Sequence, residues 1–204
     1  MGTKDRKERE REEHKELILN ASEQIMISEG LDNLSIRKIA KKIEYSPAII
    51  YHYFKDKDEI INSLMAKGYK RILSTLDSIN LTDKNPKEKL VEGFKNYIFA
   101  ALNDPLEYKT ILLSSSPSIL EHTSVLFKGA AQKREAIGIL VQILRDIYRE
   151  SPKDESYIEL TAQVLWSSVF GLIIRMITEE NLTEDQKNKL VEHQLSILIK
   201  GIMP

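Results

Sequence analysis

The sequence predicts an all-α protein, and three observations carry that prediction. Apolar residues recur at i, i+3, i+4 and i+7 in one stretch after another, the spacing of helices with a buried face. Helix starts are written as cap-then-proline pairs at Ser46-Pro47, Asn85-Pro86, Asp104-Pro105 and Ser116-Pro117, where proline's missing N–H costs nothing. No run alternates apolar and polar residues over the length of a strand, and no internal repeat stands out. The expected architecture is about nine helices. Three form an N-terminal module over residues 1–57, and the others form a larger helical domain over residues 58–204.

Taken in order, Thr3 to Glu16 mixes charges of both signs almost without interruption. It reads as a frayed helix end, with a loose cationic arm of Lys4, Arg6, Lys7 and Arg9 as the alternative. Helical periodicity begins near Glu10, and Leu17, Ile18, Ala21 and Ile25 form a buried stripe that ends at Gly30, in the C′ position. Asp32-Asn33 is a turn. Ser35 caps a second helix whose stripe is Ile36, Ile39, Ala40 and Ile43. Ser46 caps a third, which starts at Pro47, runs to about Tyr53 and is too short to stand alone in water. Two short helices joined by a tight turn make a helix-turn-helix.

Asp56 caps the fourth helix, with Glu59 reaching back as in a capping box. Its apolar face is Ile60, Ile61, Leu64, Gly68, Ile72 and Leu76. The fifth, from Pro86, holds Leu90, Phe94, Ile98 and Leu102, and a short sixth ends near Leu113. A long helical stretch is expected from about Pro117 to Arg149, bent near Gly129, with Leu126, Ile137, Leu140, Ile143, Leu144 and Ile147 inside. Beyond the break at Ser151–Asp154 comes a helix with Ile158, Leu165, Trp166, Val169, Phe170, Ile173 and Ile177. Thr183, paired with Gln186 in a second capping box, starts the last, which carries Leu190, Val191, Leu195, Leu198 and Ile202.

Composition bounds the chemistry. With 42 % hydrophobic residues in 204, the chain can bury a sizeable core, and a net charge of −1 argues against wholesale attraction to polyanions. There is no cysteine, hence no disulfide, thiolate ligand or thiol nucleophile. His14, His52, His122 and His193 lack metal-ligand spacing, and neither a phosphate-cradling glycine loop nor a nucleophile elbow is present. The expectation is therefore no catalytic residues, no metal and no cofactor. The charged N-terminus has no apolar h-region, and no apolar run approaches the ~20 residues that span a bilayer. The expected compartment is the cytoplasm, with no membrane partner.

One stretch departs from this neutral balance. From Ser35 to Lys57 stand Arg37, Lys38, Lys41, Lys42, Lys55 and Lys57 against Glu44 and Asp56, a local charge of +4. A cationic patch around a helix-turn-helix is the footprint of a phosphate-binding surface, and the second helix of that motif can lie in the DNA major groove. A helical hairpin with a solvated charged face is the plainer reading of the same charges.

The order of residues here resembles the DNA-binding domain of the tetracycline-repressor (TetR) family of transcriptional regulators. The shared features are Leu34-Ser35-Ile36-Arg37-Lys38-Ile39-Ala40, then Ser46, then Ile50-Tyr51-His52-Tyr53-Phe54-Lys55-Asp56-Lys57-Asp58-Glu59-Ile60. The match covers about a quarter of the chain. Two positions depart from the family pattern, which often has Gly where Glu44 and Ala48 stand. If the turn requires positive φ, Glu44 carries strain of about 1 kcal/mol.

The resemblance implies a dimer reading a palindromic, double-stranded operator. In it Arg37, Pro47 and Ala48 face base edges, while Ser35, Ser46, Tyr51, His52, Lys55 and Lys57 hold phosphates. It implies a repressor whose two C-terminal helices pair with a second copy. The apolar surplus on those helices, Phe170, Ile173, Ile174, Leu195, Leu198, Ile199 and Ile202, is consistent with that. It also implies a pocket for a small effector. Phe94, Tyr97, Ile98, Tyr108, Leu112, Phe127 and Trp166 are the candidate lining, and their scarcity of charge suggests an apolar or aromatic molecule. Two other functions stay open from the sequence: a helical protein–protein interaction module, and a small-molecule carrier with no DNA function.

Overall fold

Helices are the regular elements of the computed structural model of the chain, which describes residues 3–80, 84–105, 108–109, 117–179 and 181–203, with no strand among them. The longer ones are α1 (Thr3–Glu29), α2 (Ile36–Lys42), α3 (Pro47–Tyr53), α4 (Lys57–Asn80) and α5 (Pro86–Asn103). They are followed by α6 (Pro117–Thr123), α7 (Ala130–Lys133), α8 (Glu135–Ile147), α9 (Glu155–Thr178) and α10 (Glu184–Ile202). The chain divides into two compact units, residues 1–68 with 106–123, and residues 69–105 with 124–204.

In the first unit α1 is longer than expected. Its charged N-terminal stretch is helical from Thr3, neither frayed nor a loose arm. The reason is charge spacing: Arg6 pairs with Glu10 at 2.9 Å, Arg9 with Glu13 at 4.0 Å and Lys15 with Glu12 at 3.2 Å. Each such exposed pair contributes a few tenths of a kcal/mol to the helix, about 0.2–0.5. The buried face runs through Ile18, Ala21, Ser22, Ile25 and Met26, whereas Leu17, one residue off this stripe, is exposed. Around it pack Leu34, Ile39, Ala40, Ile50, Phe54, Ile60, Ile61 and Leu64, together with Ile119 of α6. His122 Nε2, also on α6, lies 3.3 Å from Asn62 Oδ1 of α4.

Local chemistry starts most helices as read from sequence. Asp56 Oδ1 accepts the Glu59 N–H at 2.9 Å. Glu59 Oε2 reaches one residue further back than expected, to the Lys55 N–H at 2.5 Å. Asn85 and Glu88 form a reciprocal capping box at the start of α5. Thr183 Oγ1 accepts the Gln186 N–H at 3.2 Å at the start of α10. Most of the expected sixth helix lies outside the described residues, as do the side chains of Ile72 and Leu76.

The second unit packs α5, α8, α9 and α10 around Phe94, Tyr97, Ile98, Ile137, Leu140, Leu144, Leu165, Val169, Ile173 and Leu195. The long helix expected from 117 to 149 is instead three helices, with residues 124–129 outside any of them. Gly129 adopts φ 85°, a left-handed conformation that ends helical continuity at little cost in glycine. The freed backbone is satisfied by side chains of α9. Glu159 accepts the N–H groups of Ala131 at 2.9 Å and Gly129 at 3.1 Å. The buried Gln163 donates through Nε2 to the carbonyls of Val125 and Phe127, both at 2.8 Å. The Ala131 and then the Gly129 N–H hold the Glu159 carboxyl below its ordinary value. That contribution to stability is present above the ordinary carboxylate pKa and is lost as pH falls below it. Leu126, expected inside, projects outward from this loop.

The sequence reading of no bilayer-length apolar run is corrected by α9. By length and composition this 24-residue helix is apolar enough to cross a membrane, a test that the core helix of a soluble protein passes as well. Ile158, Ala162, Leu165, Val169, Ile173 and Met176 form its buried side.

Candidate nucleic-acid interface

The site begins at Ser35, whose Oγ accepts the Lys38 N–H at 3.3 Å and starts α2. Ile39 and Ala40 anchor that helix in the core, and Arg37, Lys41 and Lys42 point to solvent. The turn to α3 passes through Glu44 at φ 59°, the left-handed geometry that glycine would adopt freely. The Tyr45 N–H closes the turn on the Ala40 carbonyl at 2.8 Å. Glu44→Gly is therefore expected to raise thermal stability, by about 1 kcal/mol or less because glycine also loosens the unfolded chain. A lower melting temperature would show that the glutamate side chain compensates its own strain.

α3 is seven residues long and hangs on Ile50, which is 0 % exposed, with buried Phe54 closing its C-terminal end. The rest of its surface is free. Pro47, Ala48, Ile49, Tyr51 and His52 are all exposed. Ser46 stands at the cap position, yet its side chain makes no capping bond, so the expected Ser46 cap is corrected: proline's preset φ starts this helix, and the exposed hydroxyl remains available.

The cations around α3 are mostly uncommitted. Lys38 is tied to Glu29 at 2.6 Å, so it contributes less than its charge suggests. Among the described residues, Arg37, Lys41, Lys42, Lys55 and Lys57 have no ion-pair partner within 4.0 Å. Lys55 is exposed and Lys57, at the first position of α4, is partly so. Ser35, Arg37, Ser46, Pro47, Ala48, Tyr51, His52, Lys55 and Lys57 thus fall within one small module, and the structure leaves most of them open to solvent.

Three contributors, His14, Tyr45 and Ile49, were not singled out from sequence. His14 of α1 stacks on Tyr53 with ring centroids 5.5 Å apart and planes 3° apart, and it lies 6.0 Å from Tyr45. Its Nδ1 is 2.6 Å from the Glu10 carbonyl, which places the proton on that nitrogen. His52 meets the edge of Tyr53 at 5.2 Å. With Ala48 and Ile49 these rings line an open cleft of about 590 Å³ beside α3. Tyr45, Ile49 and Tyr53 recur at i, i+4 and i+8, a legible helical signal; His14, inside a charge run, carries none.

The other candidate sets lie elsewhere. Phe94, Tyr97 and Ile98 are buried in the second unit, where the Tyr97 ring stacks on Trp166 at 4.7 Å. Phe127 has Arg134 5.3 Å and Lys133 6.0 Å from its ring centroid and lines a cleft with Leu126, Glu159, Leu160 and Val164. Tyr108 belongs to the first unit, and Leu112 lies outside the described residues. Of the residues expected at a partner contact, Ile173, Leu195, Ile199 and Ile202 are buried within the chain itself, while Phe170, Ile174 and Leu198 are partly exposed. The apolar side chains that the last two helices turn outward are Leu160 at 58 %, Val164 at 61 % and Ile197 at 57 % exposure, with Tyr157 beside them.

Comparison with known proteins converges on this module. The sequence model for the family described as "Bacterial regulatory proteins, tetR family" matches residues 18–64. An uncharacterized HTH-type transcriptional regulator of Haemophilus influenzae is 36 % identical over 62 residues, 30 % of this chain and 33 % of that protein, so the match spans about a third of that relative's length. The uncharacterized HTH-type transcriptional regulator YvkB of Bacillus subtilis is 22 % identical over 193 residues, 91 % of this chain and 95 % of its own. Among solved structures, the fatty acid degradation regulator FadR from Bacillus halodurans superposes with a TM-score of 0.67 at 18 % identity, covering 91 % of this chain and 98 % of that one. At that identity the likeness is one of fold.

Proposed function

We propose that this chain, whose residues 18–64 match the tetR family of bacterial regulatory proteins, works as a cytoplasmic homodimer that represses transcription from a palindromic operator and releases it on binding a small, largely apolar effector. Its helix-turn-helix module, residues 1–57, reads DNA; residues 58–204 dimerise and sense. The observation that carries the reading is the exposed, uncommitted cationic surface around α3, in a chain whose net charge is −1.

In this reading α3 enters the major groove, with Arg37, Pro47 and Ala48 toward base edges. Ser35, Ser46, Tyr51, His52, Lys55 and Lys57 meet phosphates, Lys57 aided by the positive end of α4. Two heads joined by a twofold interface read half-sites about one helical turn apart, ~34–36 Å, which multiplies affinity. The outward Leu160, Val164 and Ile197 supply apolar surface for the second copy, together with the partly exposed Phe170, Ile174 and Leu198. Phe94, Tyr97, Ile98 and Trp166 are the candidate effector contacts. The effector must bind the two dimer states unequally, since equal affinity shifts no population.

The decisive test is a mobility shift of promoter fragments by the dimer across a salt series. Salt-sensitive binding supports the reading, and indifference to every fragment overturns it in favour of a carrier or protein-interaction module. Within that assay Lys57→Ala should weaken all operators alike and flatten the log–log salt slope by about one unit. Arg37→Ala should alter base preference at one position of each half-site. An unchanged slope removes Lys57 from the phosphate contacts, and uniform weakening by Arg37→Ala makes that residue one of them.

A further inference from the structure

The ten residues between Glu44 and Lys55, Tyr45 to Phe54, contain no Asp, Glu, Lys, Arg, Asn or Gln. These are the side chains that make paired hydrogen bonds to guanine or adenine or accept from cytosine in the major groove. α3 is therefore without the usual polar means of base discrimination, although it is the element placed to enter the groove. Its outward surface is apolar at Ala48 and Ile49, beside the exposed Tyr51 and His52. Ala48 is exposed beside Ile49, a branched hydrocarbon side chain left 40 % exposed on a helix whose neighbouring isoleucine, Ile50, is fully buried. Ile49 lines the cleft together with Tyr45 and His52.

In the major groove one base offers a hydrocarbon group of its own, the thymine 5-methyl, and apolar side chains are its recognised partners. We infer that α3 reads its operator chiefly through thymine methyl groups, with Ile49 as the specificity-determining contact and Ala48 beside it. His52 and the Tyr51 hydroxyl, assigned to phosphates above, offer no paired base contact, and polar base readout falls to Arg37 on α2. The half-site then carries A·T pairs under the N-terminal half of α3. This inference rests on the DNA-reading function proposed above and names what that surface recognises.

The test uses a duplex enriched by the purified full-length protein from a random pool. A second duplex is identical but carries deoxyuridine for thymidine in both half-sites, which removes the methyl and leaves every Watson–Crick and phosphate group in place. Wild-type protein should bind the uridine duplex about fourfold more weakly per methyl contacted, the value of one buried hydrocarbon carbon. Ile49→Ala, an exposed position whose folding is checked by circular dichroism, should weaken binding to the thymidine duplex and bind the two duplexes nearly equally. Equal wild-type affinity for both duplexes overturns the inference and leaves DNA binding intact. A methyl effect undiminished in Ile49→Ala overturns the assignment to Ile49. Failure to enrich any duplex overturns the DNA-reading function itself.

Discussion

Ile50→Ala should destabilise the helix-turn-helix unit by about 2–5 kcal/mol, the usual range for truncating a buried isoleucine to alanine. The position justifies the upper part of that range. α3 has seven residues and one fully buried side chain between Pro47 and Tyr53, and a helix of that length has no stability of its own. Ile39, Ile25 and Leu34 share the same buried cluster and are already fixed in it, so such side chains close the void only in part. Operator binding should disappear with the helix. The second unit offers an internal control, because the single tryptophan, Trp166, sits there stacked on Tyr97. Denaturant unfolding followed by tryptophan fluorescence should show that unit still folded while operator binding is gone. Ile49→Ala, one residue away but exposed, should change stability by less than about 0.5 kcal/mol. Equal stabilities for the two variants would mean that α3 is not held by Ile50.

The second large effect is expected at the outward face of α9. Val164→Asp places a carboxylate where the proposed second copy packs, at a position 61 % exposed in the single chain. The isolated fold tolerates a charge there, whereas the same charge buried without a partner in an interface is strongly unfavourable. Sedimentation should show a shift from dimer to monomer. Operator affinity should fall by a factor on the order of 100 or more, because the second half-site is no longer delivered at high effective concentration. A variant that remains dimeric would move the interface away from this face of α9.

The burial pattern explains why that face was hard to see in the sequence. Ile173, Leu195, Ile199 and Ile202 looked like surplus on helices apolar over more than one side, but the chain's own core covers them. Leu160, Val164 and Ile197 are the ones left outside. Periodicity identifies a stripe without saying what lies against it. The reading head was more legible, since its order of residues is compact and each assigned position lies within a few residues of the next. What escaped was His14, brought to Tyr53 by the packing of α1 from 39 positions earlier.

Local chemistry decided most of what the chain itself determined: the all-helical class, the starts of α2, α3, α5 and α10 and the cationic module with its resemblance to the family. Caps, prolines and charge pairs act over three or four residues, so they are written in order along the chain. Tertiary structure alone turned the bend expected near Gly129 into a full break of the stretch from 117 to 149, because the hydrogen bonds that make the break affordable come from Glu159 and Gln163 on a helix about thirty residues further on. It alone decided which of two adjacent isoleucines anchors α3 and which is offered to the groove. That choice depends on where α1 and α2 lie, and no window of sequence contains all three.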